Sequence, residues 1–222
     1  MDANTSRQLI AEIESGFVLY SDGQVNVPPV GFLHFDDPPG DVHIKYGFVS
    51  GDKYYVVKMA SGFYNNPELG LPASDGLLLV FSQETGELEL ILLDKCWLTD
   101  MRTAAAGAVA AKHLAAKSIH QIGIVGTGAQ ARLQLELLRN VVDCDSCLIW
   151  GRDPIKVKQI IEDLRATESV QDWGLEIEAA SSTRKQALTK TDSLFSCASL
   201  LLRFNPSLYL LSRQIAVARS YR

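Results

Sequence analysis

The chain has 222 residues, 47% of them hydrophobic and 21% charged, enough for an ordinary buried core in one large domain or two small ones. A formal net charge of −5 with scattered Lys and Arg argues against a nucleic-acid partner, and no apolar run is long enough to span a bilayer. The first residues, Met1 to Ser6, lack a basic and apolar leader, so a cytoplasmic protein is expected. Leu9, Ile10 and Ile13 then fall at helical spacing behind polar Asn4 and Thr5, which predicts a first helix to Glu14, ended by Gly16.

From Phe17 to Leu93 the pattern changes to short runs rich in β-branched and aromatic residues, at 42–49, 54–59, 76–81 and 88–93. Turn chemistries separate them at 36–40, 50–52, 65–67 and 84–86, the last a hairpin turn. Leu98-Thr-Asp100 is read as the cap of an alanine-rich helix from Met101 to about Ala116. Beyond a boundary at 117–121 the chain alternates strand and helix: an apolar strand from Ile122, a helix from Leu133 to Leu138, a strand at 147–150, a helix from Pro154 to Arg165, and a strand at 175–179. That alternation is the signature of a parallel α/β sheet.

The first strand of this half runs into Gly126-x-Gly128-x-x-Ala131. Gly126 permits the tight strand-to-helix turn, Gly128 lets the backbone approach a pyrophosphate, and Ala131 lets helix and sheet pack closely, so the segment reads as a dinucleotide site. After the second strand come Arg152 and Asp153. An arginine there suits the 2′-phosphate of NADP(H) and an acid suits the ribose of NAD(H); with Arg152 first, NADP(H) is favoured and NAD(H) stays possible. Cys144 and Cys147 have C-x-x-C spacing but no second pair to complete a zinc site, and His34, His43, His113 and His120 share no metal-ligand spacing, so no metal is expected.

Two cations stand out. Arg102 falls in the first turn of the alanine-rich helix, where the dipole is already positive. Beside free helix N–H groups its planar fork makes an anion site able to hold a carboxylate in two hydrogen bonds; the other reading is an exposed arginine pointing away. Lys58, at the end of a strand-like run, reads from composition as an edge-strand lysine in solvent.

Taken together, the segments 58–63, 70–76, 98–112 and 124–131 resemble the ornithine cyclodeaminase/mu-crystallin family, most specifically at Leu98-Thr-Asp-Met-Arg-Thr-Ala-Ala105 leading into the glycine motif. The resemblance spans roughly 27–192. It implies a two-domain homodimer: a substrate-binding and dimerisation domain with a mixed sheet, placed here at 1–117, and a doubly wound Rossmann domain at 118–222. It also implies hydride transfer between a nicotinamide cofactor and a small amino or imino acid, as in ornithine cyclisation to proline with loss of ammonia, or imine reduction. By the same resemblance Lys58 and Arg102 bind substrate, Arg102 also meets the cofactor, Ala129 and Gln130 lie under the pyrophosphate, and Arg152 matches the NADP-using members.

The chain also departs from the family pattern. His34 lies in a segment where many members carry a substrate-binding arginine, which leaves the substrate open. The family's Thr-rich strand, near 185–190, and its later Gly-x-Asp carboxylate are not found, and Asp192 is the last carboxylate side chain. No general acid/base is therefore assigned. A tail atypical from about 193, with no closing strand, leaves the parallel sheet incomplete and raises the alternative of a truncated or frameshifted member, at most a cofactor-binding or dimerisation remnant.

Overall fold

The computed structural model describes residues 1–180 and the backbone of Ser193–Ser196. Its first helix, α1 (Ala3–Ser21), runs through Gly16 instead of ending there. Gly16 is buried, one helical face on from Leu9 and Ile13, so its missing side chain serves close packing. The stop comes at Gly23, whose φ of +70° lets its N–H reach Tyr20 O at 3.1 Å while Gln24 N–H reaches Leu19 O at 3.0 Å. These paired bonds satisfy carbonyls that the last helical turn leaves open.

The described residues fall into two compact units, one of Met1–Ala11 and the chain from Asp100, the other of Glu12–Thr99. The second is built on a six-stranded sheet: β1 (Val25–Asn26), β2 (Gly31–Phe35), β3 (Gly40–Val49), β4 (Tyr54–Phe63), β5 (Ser74–Ser82) and β6 (Leu88–Leu92). Its order is β1-β3-β4-β5-β6, with β2 also paired to β3. A mixed sheet was expected here, but every described pairing in it is antiparallel. Tight turns such as 83–87 can join antiparallel neighbours, whereas a parallel pair needs a long crossover. One face buries Val56, Leu78 and Val80 against Leu98, and the other leaves Tyr46, Phe48, Met59 and Ile91 exposed.

The unit from Asp100 holds most of α2 (Trp97–Leu114), then β7 (Ile122–Val125), α3 (Ala129–Leu138), β8 (Ser146–Trp150), α4 (Pro154–Arg165), a short α5 (Glu168–Gln171) and β9 (Glu176–Ala179). Its sheet runs β10-β7-β8-β9, all parallel, with β10 being Ser193–Ser196. Here the sequence reading fails, since it foresees no closing strand. A run of four residues is too short for any hydrophobic period to register, and pairing with Ile122–Val125 alone defines it. Asp192, the segment 185–190 and the tail beyond Ser196 lie outside the described residues.

Ile122, Ile124, Leu135, Leu138, Ile149 and Ile160, each at most 1% exposed, form the centre of this sheet's core. Full burial of each such side chain contributes about 1.5–3 kcal/mol. The chain proceeds outward from β7 to β8 and β9 and then places β10 on the other side of β7, so strand order reverses between β7 and β10. Such a reversal opens a crevice at the carboxyl ends of the strands, which is where doubly wound sheets bind ligands. No helix among the described residues is long and apolar enough to cross a membrane.

Candidate functional site

At the carboxyl end of β7, Gly126 takes φ +128°, a conformation that a side chain would strain, and its N–H donates to Trp150 O at 2.8 Å. The bond ties the glycine turn to the end of β8. Gly128 is the N-cap of α3 and offers no side chain to cap it, and a Cβ added there would meet nothing within 4 Å among the described residues. Ala129 and Gln130 open α3, and Ala131 is fully buried beneath it. Open space before a helix N-terminus, a backbone free of side chain, and the crevice beside β7 fit a dinucleotide pyrophosphate.

The sequence reading missed Gly151. A Cβ there would lie 2.8 Å from Thr127 Cγ2 and 2.8 Å from Val157 Cγ2, so the glycine turn rests on a position that tolerates no side chain. Its signal was the Trp-Gly dipeptide at the end of β8, which carries no mark of the loop it must fit.

The Gln130 side chain is held by hydrogen bonds to α2 and within α3. Its Nε2 donates to Asp100 O at 3.0 Å and Asp100 Oδ1 at 3.1 Å, and its Oε1 accepts from Gln134 Nε2 at 3.3 Å. Gln134 is 5% exposed and packs over Gly107, where a Cβ would sit 3.2 Å from Gln134 Oε1. A chain of amides therefore joins the start of α3 to Asp100 on α2, two residues from Arg102.

Arg102 lies one turn deeper in α2 than the sequence reading places it. Asp94, rather than the segment 98–100, starts the helix: its Oδ2 accepts from Leu98 N at 2.8 Å, and its carbonyl accepts from Trp97 N at 3.0 Å. Lys95 and Cys96 make the approach at φ +50° and +67°. The dipole argument for Arg102 weakens accordingly, because the field falls off within the first turn. Burial replaces it. Arg102 Nε is inaccessible and has no hydrogen-bond partner among the described residues, as is Thr99 Oγ1. Burial pushes the guanidinium down to about 10, and the carboxylate of Asp100 pulls in the opposite direction. Unpaired buried donors of this kind call for a partner, and a carboxylate fits the guanidinium fork.

Lys58, in the other unit, is no edge residue. It sits in β4 between β3 and β5 and is 3% exposed, on the face of Val56, Leu78 and Val80. An ammonium so deep in a sheet costs far more than one in solvent. His34 lies on β2 opposite Asp41, with its exposed ring 3.2 Å from Asp36 Oδ1. Arg152 is exposed at the end of β8, while Asp153 is occupied as the N-cap of α4, its Oδ1 accepting from Ile155 N at 2.9 Å. Cys144 and Cys147 are both buried, and burial raises the Cys147 thiol to about 12, so it holds its proton and packs as an apolar group.

Comparison with known proteins bears on this site as a whole. The model of the ornithine cyclodeaminase/mu-crystallin family matches residues 1–199. An uncharacterized cyclodeaminase from Sinorhizobium fredii is 41% identical over 145 residues, covering 65% of this chain and 44% of that protein. Among solved structures, the chain is similar to the Thermococcus litoralis Δ1-pyrroline-2-carboxylate reductase in complex with NADH and L-proline, at TM-score 0.76 and 26% identity over 86% of this chain and 57% of that one. It is also similar to an archaeal alanine dehydrogenase dimer with bound NAD, at TM-score 0.74 and 27% identity over 88% of this chain and 56% of that one. The chain thus spans about half the length of the curated relatives it matches. With the strand order, the glycine turn and the match over residues 1–199 in agreement, the chain belongs to the ornithine cyclodeaminase/mu-crystallin family.

Proposed function

We propose that this chain acts on a small amino or imino acid by hydride transfer with a nicotinamide dinucleotide, as a cytoplasmic enzyme. The observation that carries the reading is the glycine turn at the strand-order reversal, with open space before Gly128. When bound, the nicotinamide exchanges hydride with the substrate: imine reduction consumes one NAD(P)H and one proton and yields amine and NAD(P)+, whereas cyclisation of ornithine returns the hydride and releases ammonia. Gly126, Gly128, Ala129 and Gln130 present backbone to the pyrophosphate. By the family resemblance Lys58 and Arg102 are each taken as substrate-binding residues, and Arg102 also as a cofactor contact. No residue is assigned as proton donor.

Arg152 favours NADP(H) in this reading. Asp153 supports that preference indirectly, since its Oδ1 already serves α4 and is less available to a ribose hydroxyl. Residues 1–117 act as the substrate and dimerisation domain, and residues 118–222 bind the dinucleotide. The exposed apolar face of β3, β4 and β6 is the surface on which two copies would pair.

The test is to supply the purified chain with NADPH and a range of 2-oxo acids with ammonia or preformed cyclic imines, and to follow loss of nicotinamide absorbance. Ammonia release from ornithine without net cofactor consumption would identify the cyclodeaminase reaction instead. Cofactor binding with no turnover on any of these would leave a non-catalytic cofactor-binding role, and absence of cofactor binding would sink the reading.

A further inference from the structure

We propose that Asp100 is a positioning residue: through Gln130 and Gln134 it locks the turn of α2 that carries Arg102 onto the start of α3, so that a dinucleotide and a substrate carboxylate bind with positive coupling. This rests on the reading of residues 126–130 as the pyrophosphate site and of Arg102 as a carboxylate site. Two contacts fix α3 against α2. Gln130 Nε2 donates to both the carbonyl and the Oδ1 of Asp100, at 3.0 and 3.1 Å. One turn along α3, Gln134 Nε2 donates to Gln130 Oε1 at 3.3 Å, and the same side chain lies over Gly107, where an added Cβ would come within 3.2 Å of Gln134 Oε1. Positions 100 and 107 are about two helical turns apart on one side of α2, so the pair of contacts sets both the position and the angle of α3, where either alone would leave a pivot. Arg102 follows Asp100 by two residues, about 200° round the helix, and so leaves α2 on the opposite side. The amide chain braces the turn that carries the guanidinium from behind.

Asp100 also acts on Arg102 through its charge. Burial pushes the guanidinium down to about 10 and the Asp100 carboxylate opposes it, and these are the two influences on Arg102 among the described residues. One oxygen of Asp100 thus serves α3 while its charge favours the cationic form that a carboxylate ligand needs. A dinucleotide held at the N-terminus of α3 steadies Gln130, and with it Asp100 and the turn behind Arg102. The carboxylate then meets an arginine already in place, and by linkage its own binding tightens the dinucleotide by the same factor.

The experiment is calorimetric titration of the 222-residue chain with pyruvate, without ammonia, in the presence and absence of saturating NADPH, over pH values from about 7 to 11. NADPH should tighten pyruvate binding at least about fivefold, the low end of ordinary coupling between sites. Gln130→Met keeps backbone and bulk but removes the amide, and should bring that factor close to one while leaving the alkaline fall in affinity where it was. Asp100→Asn keeps an Oδ1 acceptor for Gln130 and removes the charge. Its coupling should persist, and its alkaline fall should begin about one pH unit lower, because the cationic form of Arg102 is lost sooner. A merely structural defect would weaken binding at every pH without separating these two effects. A factor of one in the wild-type chain would overturn the coupling whatever the variants do, and an unmoved alkaline fall in a folded Asp100→Asn would overturn the role of Asp100. NADPH and pyruvate that both bind, but independently, leave the dinucleotide and carboxylate readings standing. Failure of either to bind removes that reading and the coupling with it.

Discussion

Arg102 is buried with an unsatisfied donor. Its Nε is cut off from water without a described partner, a state that costs about 1–3 kcal/mol, and burial pushes its guanidinium down to about 10. A bound carboxylate would satisfy the donor and oppose that downward shift. Arg102→Ala should therefore weaken 2-oxo acid binding by about 2–5 kcal/mol with an unchanged circular dichroism spectrum, because a buried anion would lose its partner. Wild-type affinity in the titrated mutant would dismiss the anion site. The charged form is the one that binds, so affinity should stay flat through neutral pH and fall as pH rises through about 10 and above, a profile that titrations across that range would read. Arg152 gives a second test at this scale: NADP(H) should bind more tightly than NAD(H), and Arg152→Ser should erase the difference, worth about 1.5–3 kcal/mol for a hydrogen bond to a charged group. Equal affinities in the parent would remove the preference.

Among the elements, the β7–α3 turn is held by what lies beneath and behind it. Gly151 lies under Thr127, and the Gln134–Gln130–Asp100 amide chain ties α3 to α2. Gly151→Ala places a Cβ 2.8 Å from both Thr127 Cγ2 and Val157 Cγ2, so the loop or α4 must shift. Overpacking of this kind costs about 1–3 kcal/mol. Chemical denaturation should show that loss and NADPH titration a parallel weakening, whereas an Ala variant with full stability and affinity would mean that the turn adapts freely. Element limits were legible where local chemistry sets them: Pro154 after the capping Asp153 marks the start of α4, and Gly86 turns β5 into β6. They were misread where burial overrides local preference, as at Gly16 inside α1, and where a nearer cap competes, as Asp94 does ahead of α2.

For the molecule as a whole, the two faces of the antiparallel sheet divide the work. One carries Lys58 amid apolar packing. The other exposes Tyr46 at 40%, Phe48 at 37% and Ile91 at 51%, with Tyr55 and Phe81 stacked at 4.8 Å between ring centroids. An exposed apolar sheet face is the kind of surface through which chains associate. The chain should therefore self-associate in solution, and Phe48→Glu should shift it toward monomer, as light scattering on eluted fractions would show. A wild-type chain that stays monomeric at every concentration would rule out this face as the dimer surface.

The sequence alone determined the family, the parallel α/β half, the glycine turn and the hairpins of the first half, because each is written in residues close together: turn formers, caps, and a glycine spacing read by backbone geometry. Tertiary structure decided what depends on partners far along the chain. Whether Lys58 is an edge lysine or a buried one turns on β3 and β5 pairing on both its sides, and whether Ser193–Ser196 is a strand turns on Ile122–Val125. The need for glycine at position 151 turns on Thr127 and Val157. The opposition of Lys45 to Lys58 is likewise a matter of register, which hydrophobic patterning and turn lengths fix only when both strands are laid side by side.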